Sequence, residues 1–194
     1  QGAFFKNGKS VTRALWSAVI GLLPHSAALI GRWIVQGHGP YMSRYEVISS
    51  DAWVAIVFFL FLSFRWERIR QAGIVVMPVS LLLIAFGLLT NPAMHDLPPS
   101  LRSVWLVMHI SFAKLAAGAI ISSFALAILY LLKEKNISYA FLSKLPSQDV
   151  LDEYSYKFAG FGLVFWTINI VAGSIWADIS WGRFWGWDHI ETWS

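Results

Sequence analysis

Residues 103–132 read SVWLVMHISFAKLAAGAIISSFALAILYLL, a run in which Lys114 is the only lysine, arginine or acidic residue. A helix of about 20 apolar residues crosses a hydrocarbon layer about 30 Å thick. This run is longer than that, so we expect it to tilt or to project beyond the bilayer. The stretch therefore predicts a transmembrane α-helix, and with it a membrane protein.

Four further apolar runs extend this interpretation to about five spans. The second of the five needs Glu46 and Asp51 near one end to reach across a bilayer. None has the strict alternation of barrel strands, and helices are the other structure that satisfies the backbone in lipid. We predict an all-α, polytopic transmembrane helix bundle that forms a single membrane domain over residues 1–194. The four other spans are predicted at 15–36, 45–64, 71–90 and 158–177.

The composition agrees with a membrane protein and excludes several other classes. Of the 194 residues, 57% are hydrophobic and 13% are charged, whereas a soluble domain has about 25% charged residues. The chain has no cysteine, which excludes disulfides and thiolate metal sites. Its net charge of +4 lies in short clusters between the apolar runs, so we expect no nucleic-acid partner. Because the sequence starts at Gln1 and stops at Ser194 within an aromatic motif, we expect it to be a fragment.

The lysines and arginines predict the orientation of the bundle. Ten lie on the side of the N-terminus and four on the other side, so the positive-inside rule places the N-terminus in the cytoplasm. Five crossings then place residues 176–194 on the external side. The first group is Lys6, Lys9, Arg13, Arg65, Arg68, Arg70, Lys133, Lys135, Lys144 and Lys157, and the second is Arg32, Arg44, Arg102 and Arg183.

The tryptophan-rich segment, residues 176–194, begins WADISWGRFWGWDHIETW and holds five of the eleven tryptophans. If it is helical, Gly182 and Gly186 lie one turn apart, and Trp181 and Trp185 stack beside them. Two glycines in register would form a low surface that a flat ligand can approach, flanked by indole faces. The alternative is an aromatic belt that anchors the chain at the membrane interface.

Three charged residues accompany these tryptophans. Arg183 can offer a cation to a carboxylate of a bound ligand. We expect Asp188 and Glu191 to cap a helix, or to bond to nearby indole N–H groups, rather than to bind a cofactor directly.

Three stretches resemble the CcsA/ResC branch (also called CcsB-type) of the haem-handling proteins of cytochrome c assembly. Residues 181–193, WGRFWGWDHIETW, are similar to the tryptophan-rich "WWD" signature of that superfamily. Residues 37–46, GHGPYMSRYE, resemble the family's first external loop, and residues 105–111, WLVMHIS, resemble the start of the helix that bears an external haem-ligand histidine. His189 is a departure, because the family usually has proline after the aspartate.

The resemblance implies a site for haem b, bound transiently and without a covalent bond. His109 would be an axial ligand of the haem iron, and the alternative for it is a buried histidine bonded to a neighbouring helix. The second axial ligand is expected beyond Ser194, with His189 as the alternative within the chain. The implied cofactor-binding residues are His109, Trp176, Trp181, Gly182, Arg183, Trp185, Gly186, Trp187 and Asp188.

The remaining histidines are not expected to bind the haem iron. His38 and His95 lie in predicted external loops and are expected to be solvated or structural. His25 follows Pro24 inside the first span, where we expect a polar contact within the bundle.

The function implied by the resemblance is that of a membrane subunit of the cytochrome c synthetase. With a ResB-type membrane partner, it would present haem externally for thioether attachment to the Cys-X-X-Cys-His segment of apocytochrome c. The location implied is the bacterial inner membrane, or the thylakoid membrane if the protein is plastid-encoded. Three alternatives stay open. The first is a haem exporter or delivery protein of the same superfamily, and the second is a secondary transporter or channel subunit with His25, Arg32 and Lys114 along its path. The third is a purely structural bundle whose aromatic terminus anchors it at the interface.

Overall fold

The computed structural model describes residues 8–135 and 142–193, so Lys6 and Ser194 lie outside the described residues. The described chain is helical apart from its connections, and it contains no strand there. A 3₁₀ turn, Glu67–Ala72, leads into the third helix. The helices are α1 (Gly8–Gln36), α2 (Arg44–Arg65), α3 (Gly73–Leu88), α4 (Val104–Glu134), α5 (Gln148–Trp181) and the short α6 (His189–Thr192).

Five helices among the described residues are long and apolar enough to cross a membrane, which confirms the predicted transmembrane bundle. The fifth helix is longer than the predicted span 158–177, because it begins at Gln148 with a polar stretch that includes Lys157. A count of apolar residues cannot detect such an extension, since polar residues outside the hydrocarbon layer continue a helix at little cost. The external placement of the tryptophan-rich segment stays a prediction from charge.

Large apolar side chains pack at one end of the bundle, where α2 ends and α5 begins. Phe59 and Phe158 are almost fully buried there together with Leu126 and Leu129 of α4. Small residues let α4 approach its neighbours closely along the rest of its length. A Cβ on Gly118 would lie 3.1 Å from Phe58, and one on Gly162 would lie 2.8 Å from Ile120. Such residues are typical of helix contacts in membranes.

The opposite end, which we call the polar end, is held by two ion pairs. Arg32 of α1 donates from Nη2 to Glu46 Oε1 at 2.9 Å, and it also donates to the carbonyl of Pro92 in the α3–α4 connection. Lys114 of α4 contacts Asp51 of α2 at 2.7 Å. These contacts join α1, α2 and α4 through charged side chains that are largely shielded from solvent.

The connecting loops at the polar end are also fixed. His38 is 6% exposed, and its ring nitrogens each lie 2.8 Å from a carbonyl oxygen, one of Gly39 and one of His95. Of the two expectations for His38, solvated or structural, this contact agrees with the structural one. Its neighbour Tyr41 packs against Gly39, and burial raises the pKa of the Tyr41 phenol above its ordinary value.

Candidate functional site

His109 lies on the first turns of α4, at the polar end, with its ring against α5. Its Nδ1–H donates to the backbone carbonyl of Asn169 at 2.9 Å. Because a carbonyl only accepts, this bond assigns the tautomer with the proton on Nδ1, and Nε2 then carries the free lone pair. The histidine is thus bonded to a neighbouring helix, as one interpretation predicted. That bond leaves the second nitrogen available as a ligand, so it does not exclude the other interpretation.

One face of α5 surrounds this ring. Asn169, Gly173, Trp176 and Ser180 follow each other at spacings of four, three and four residues, which places them on one helical stripe. The Trp176 ring stacks on the His109 ring, with 6.3 Å between centroids and 20° between planes. The helix that carries the tryptophan-rich segment therefore also holds the histidine.

The tryptophan-rich segment is not the continuous helix that the glycine spacing required. Helix α5 ends at Trp181, and Gly182 follows in the left-handed region at φ 73°, where a Cβ would be strained. Gly182 and Gly186 therefore do not lie in register on one helix face. Instead Trp176 contacts Trp181 edge-on at 4.8 Å, so the predicted stacking of Trp181 with Trp185 is wrong.

Gly186 serves a different purpose from the one predicted. A Cβ there would lie 2.3 Å from Cζ of Arg183, so the guanidinium crosses the chain directly over this glycine. Arg183 Nη2 is also 3.8 Å from Asp188 Oδ2, and its side chain is 53% exposed. The cation is therefore placed by contacts within the loop itself.

Asp188 and Glu191 form the predicted helix cap. The amide of Glu191 donates to Asp188 Oδ1 at 2.8 Å, and the amide of Asp188 donates to Glu191 Oε2 at 3.3 Å, which is a capping box. Glu191 Oε2 also accepts from the amide of Gly186 at 2.6 Å. The carboxylate therefore closes the loop 182–188 onto α6.

Trp187 sits inside this closed loop with a strained backbone. Its φ of 55° is the only positive value of a non-glycine residue in the described ranges. Such a conformation costs on the order of 1–3 kcal/mol and persists only where surrounding contacts hold it. The two amides bonded to Glu191 lie on either side of Trp187. The loop thus holds this indole outward, where it is 77% exposed.

Replacing Glu191 by Ala is expected to open the loop 182–188. The loss of a carboxylate that accepts two amides removes bonds worth about 1.5–3 kcal/mol each. Hydrogen–deuterium exchange of a peptide over 183–190 should then become faster while peptides from α4 keep their protection. Glu191→Gln retains one acceptor oxygen and should give a smaller change. Equal protection in the Ala variant and the parent would contradict this account of the loop.

The loop and its flanking residues carry several exposed aromatic rings, and three polar atoms nearby in sequence are buried without a partner among the described residues. Trp181, Phe184 and Trp187 are each more than half exposed, as is Trp193. In the same part of the chain, Trp176 Nε1, Ser180 Oγ and Trp185 Nε1 are buried and have no hydrogen-bond partner among the described residues. The exposed rings therefore offer faces on which a flat molecule can stack.

The structure shows contacts between several of the residues predicted for the site. His109 and Trp176 are in contact, and the remaining members follow on the adjoining loop. His189 is exposed at the first position of α6. No group of three histidine, aspartate or glutamate side chains in the described ranges is arranged for a free metal ion. A single imidazole is nevertheless sufficient as an axial ligand of an iron whose equatorial ligands come from a macrocycle.

The other three candidate polar residues of the spans are each bonded to α2. His25 Nε2 lies 2.9 Å from Ser49 Oγ, which is the polar contact predicted for it. Arg32 and Lys114 pair with Glu46 and Asp51.

Sequence reasoning missed Asn169 and Gly173. The spacing of Asn169, Gly173 and Trp176 places them on one face of a helix, and this was visible in the sequence. It could not identify them as site residues, because only the structure shows that His109, sixty residues earlier than Asn169, lies against that face.

Comparison with known proteins places the chain in a family. A family model described as Cytochrome C assembly protein matches residues 41–194. The chain is 31% identical, over its full length and 72% of the other protein, to a cytochrome c biogenesis protein CcsA of Guillardia theta. It is 30% identical, over its full length and 71% of the other protein, to a CcsA protein of Prochlorococcus marinus (strain MIT 9301). A CcsA protein of Chlamydomonas reinhardtii is 33% identical over 86% of this chain. The chain therefore belongs to the cytochrome c assembly protein family, on the branch of the CcsA proteins of cytochrome c biogenesis.

Proposed function

We propose that this chain binds haem at the polar end of its bundle and presents it for covalent attachment to apocytochrome c. In this role it is the membrane subunit of a cytochrome c synthetase, acting with a ResB-type partner on the external face of the bacterial inner membrane or the thylakoid. The observation that carries the proposal is the bond from His109 Nδ1–H to the Asn169 carbonyl. It leaves Nε2 with a lone pair in the neutral imidazole, which supports His109 as a ligand of the iron.

The chemistry of the residues fits haem as the molecule held. A neutral imidazole is a common axial ligand of haem iron, and ligating histidines usually donate their other N–H to a carbonyl or a carboxylate. The tryptophan-rich segment supplies stacking area for a porphyrin. Arg183, whose side chain is 53% exposed, offers a partner for a propionate carboxylate. The second axial ligand, beyond Ser194 or at His189, remains part of the proposal.

The protein's task in this reaction is placement. In thioether formation each cysteine S–H of the Cys-X-X-Cys-His segment adds across a vinyl group, so that a sulfur–carbon bond forms and the thiol hydrogen passes to the other vinyl carbon. The addition is balanced and releases no group. When the haem is held by its iron and by the face of its ring, its vinyl groups stay free. The cysteine thiols of the apocytochrome then meet these vinyl groups in a defined orientation.

The test is covalent attachment itself. The intact protein and its ResB-type partner are expressed with an apocytochrome c in cells that lack other maturation genes. We expect the cytochrome to carry haem that survives denaturing electrophoresis and shows the absorption bands of a thioether-linked haem. A client whose Cys-X-X-Cys is changed to Ser-X-X-Ser should carry none. Haem that accumulates on the membrane protein while the client stays unlabelled would reject the synthetase role in favour of an exporter.

A further inference from the structure

The imidazole of His109 lies directly on the backbone of α5 at Gly173. A Cβ built on this glycine would be 2.5 Å from Nδ1 and 2.9 Å from Cε1 of the ring, closer than real Cβ contacts. The imidazole is a rigid ring, and it is already bonded to α5, so it cannot give way as a flexible side chain does. No residue with a side chain fits at position 173 while His109 keeps this place.

The same glycine uncovers the acceptor of the histidine. In an α-helix the carbonyl of residue i accepts the N–H of residue i+4, and the Cα–Cβ bond of that later residue tilts back toward the preceding turn. Any side chain at 173 would therefore cover the Asn169 carbonyl. With glycine there, the second lone pair of that oxygen is open to His109 Nδ1–H. Because Asn169 is 4% exposed, water competes poorly for this position.

Trp176 completes the contact one turn further along α5. Its ring lies nearly parallel to the imidazole, so the plane of the histidine is restricted as well as its tautomer.

We propose that Gly173 is a positioning residue for haem ligation. Together with the Asn169 carbonyl and Trp176, it holds His109 in the Nδ1–H tautomer with Nε2 free. The inference rests on the proposed binding of haem by His109. One rigid helix then determines both where the iron is held and where the aromatic surface begins, since α5 leads straight into the tryptophan-rich segment. The hydrogen bond also increases the electron donation of the imidazole to iron, which favours the ferric state.

The test is Gly173→Ala in the intact protein, purified with its haem in detergent. The added methyl group must displace His109 from the Asn169 carbonyl. We expect haem affinity to fall by roughly 10–100-fold, as for the loss of other outer-shell partners of a ligand. The haem that remains should have a higher reduction potential. Added imidazole should restore the low-spin spectrum, because free imidazole needs no contact with α5.

Gly162→Ala is the matched control on the same pair of helices. Its Cβ would lie 2.8 Å from Cγ1 of Ile120, so it crowds α4 against α5 without touching His109. We expect it to keep the affinity and the reduction potential of the parent. If both variants lose haem equally, the effect is general packing and the positioning role is rejected.

A further variant separates this inference from the proposed function. If His109→Ala leaves the haem spectrum unchanged, ligation by His109 itself fails. If His109→Ala abolishes the spectrum while Gly173→Ala keeps the affinity and potential of the parent, only the role of Gly173 fails. Should Gly173→Ala not yield folded protein, Nδ1-methylhistidine at position 109 removes the same donor without changing α5. An unchanged potential in that protein would overturn the inference.

Discussion

Replacing His109 by Ala is expected to remove the low-spin haem spectrum of the purified protein. The imidazole Nε2 is the lone pair that the fold leaves free, and no other described histidine contacts the stripe of Asn169, Gly173 and Trp176. The loss should exceed the roughly 10–100-fold that the removal of an outer-shell partner costs. The measurement is the Soret and α bands of protein purified after expression with excess haem. Millimolar imidazole should restore them in part by occupying the space of the missing side chain.

His95→Ala is the control for this experiment. It removes a histidine at the same end of the bundle whose side chain is exposed, and it keeps the backbone oxygen that His38 contacts. Its spectrum should match that of the parent. A His109→Ala protein with unaltered bands would show that the iron is held elsewhere, and the ligand assignment would be wrong.

Replacing Glu46 by Ala is expected to cause the largest loss of stability. This carboxylate is fully buried and accepts two bonds from Arg32 at Oε1 and the amides of Met42 and Ser43 at Oε2. Without it, a guanidinium that is only 14% exposed keeps its charge with no anionic partner in this contact, beside the Pro92 carbonyl and over the Tyr45 ring. Removing one partner of a buried ion pair costs about 3–5 kcal/mol. Thermal unfolding of the purified protein in detergent, followed by circular dichroism, measures the change.

Two further variants make this comparison specific. Glu46→Gln keeps the shape and one acceptor oxygen, so its midpoint should lie between those of the parent and the Ala variant. Glu67→Ala breaks the ion pair with Arg70 at a carboxylate that is 80% exposed, and such pairs contribute about 0–1 kcal/mol. Equal midpoints for Glu46→Ala and Glu67→Ala would mean that burial of the first pair is irrelevant to stability. Below its unfolding temperature, Glu46→Ala should keep its haem, because the contacts of His109 are with α5.

The membrane-spanning helices could be predicted because their signal is local. The length and hydropathy of the apolar run from Val104 onward are enough to predict a span, because the bilayer that it must cross has a nearly constant thickness. Local capping was also predictable: Asp188 and Glu191 were expected to cap a helix, and they form a capping box. The residues at which the helices end were harder to predict from the sequence. Glycine is common just after the last residue of a helix, but it also occurs inside helices. The sequence alone therefore does not show whether α5 ends before Gly182 or continues through it.

The sequence by itself determined the class of the protein, its family and the residues from which a site could be built. The tertiary structure alone decided that α5 stops at Trp181, that Arg183 crosses Gly186, and that Nδ1 of His109 is bound while Nε2 is free. The physical reason is the range of the interactions. Hydropathy and motif spacing are properties of neighbouring residues along the chain. The His109 bond instead joins a side chain to a backbone carbonyl sixty residues later. Because every residue has a backbone carbonyl, the sequence does not indicate which one is the acceptor.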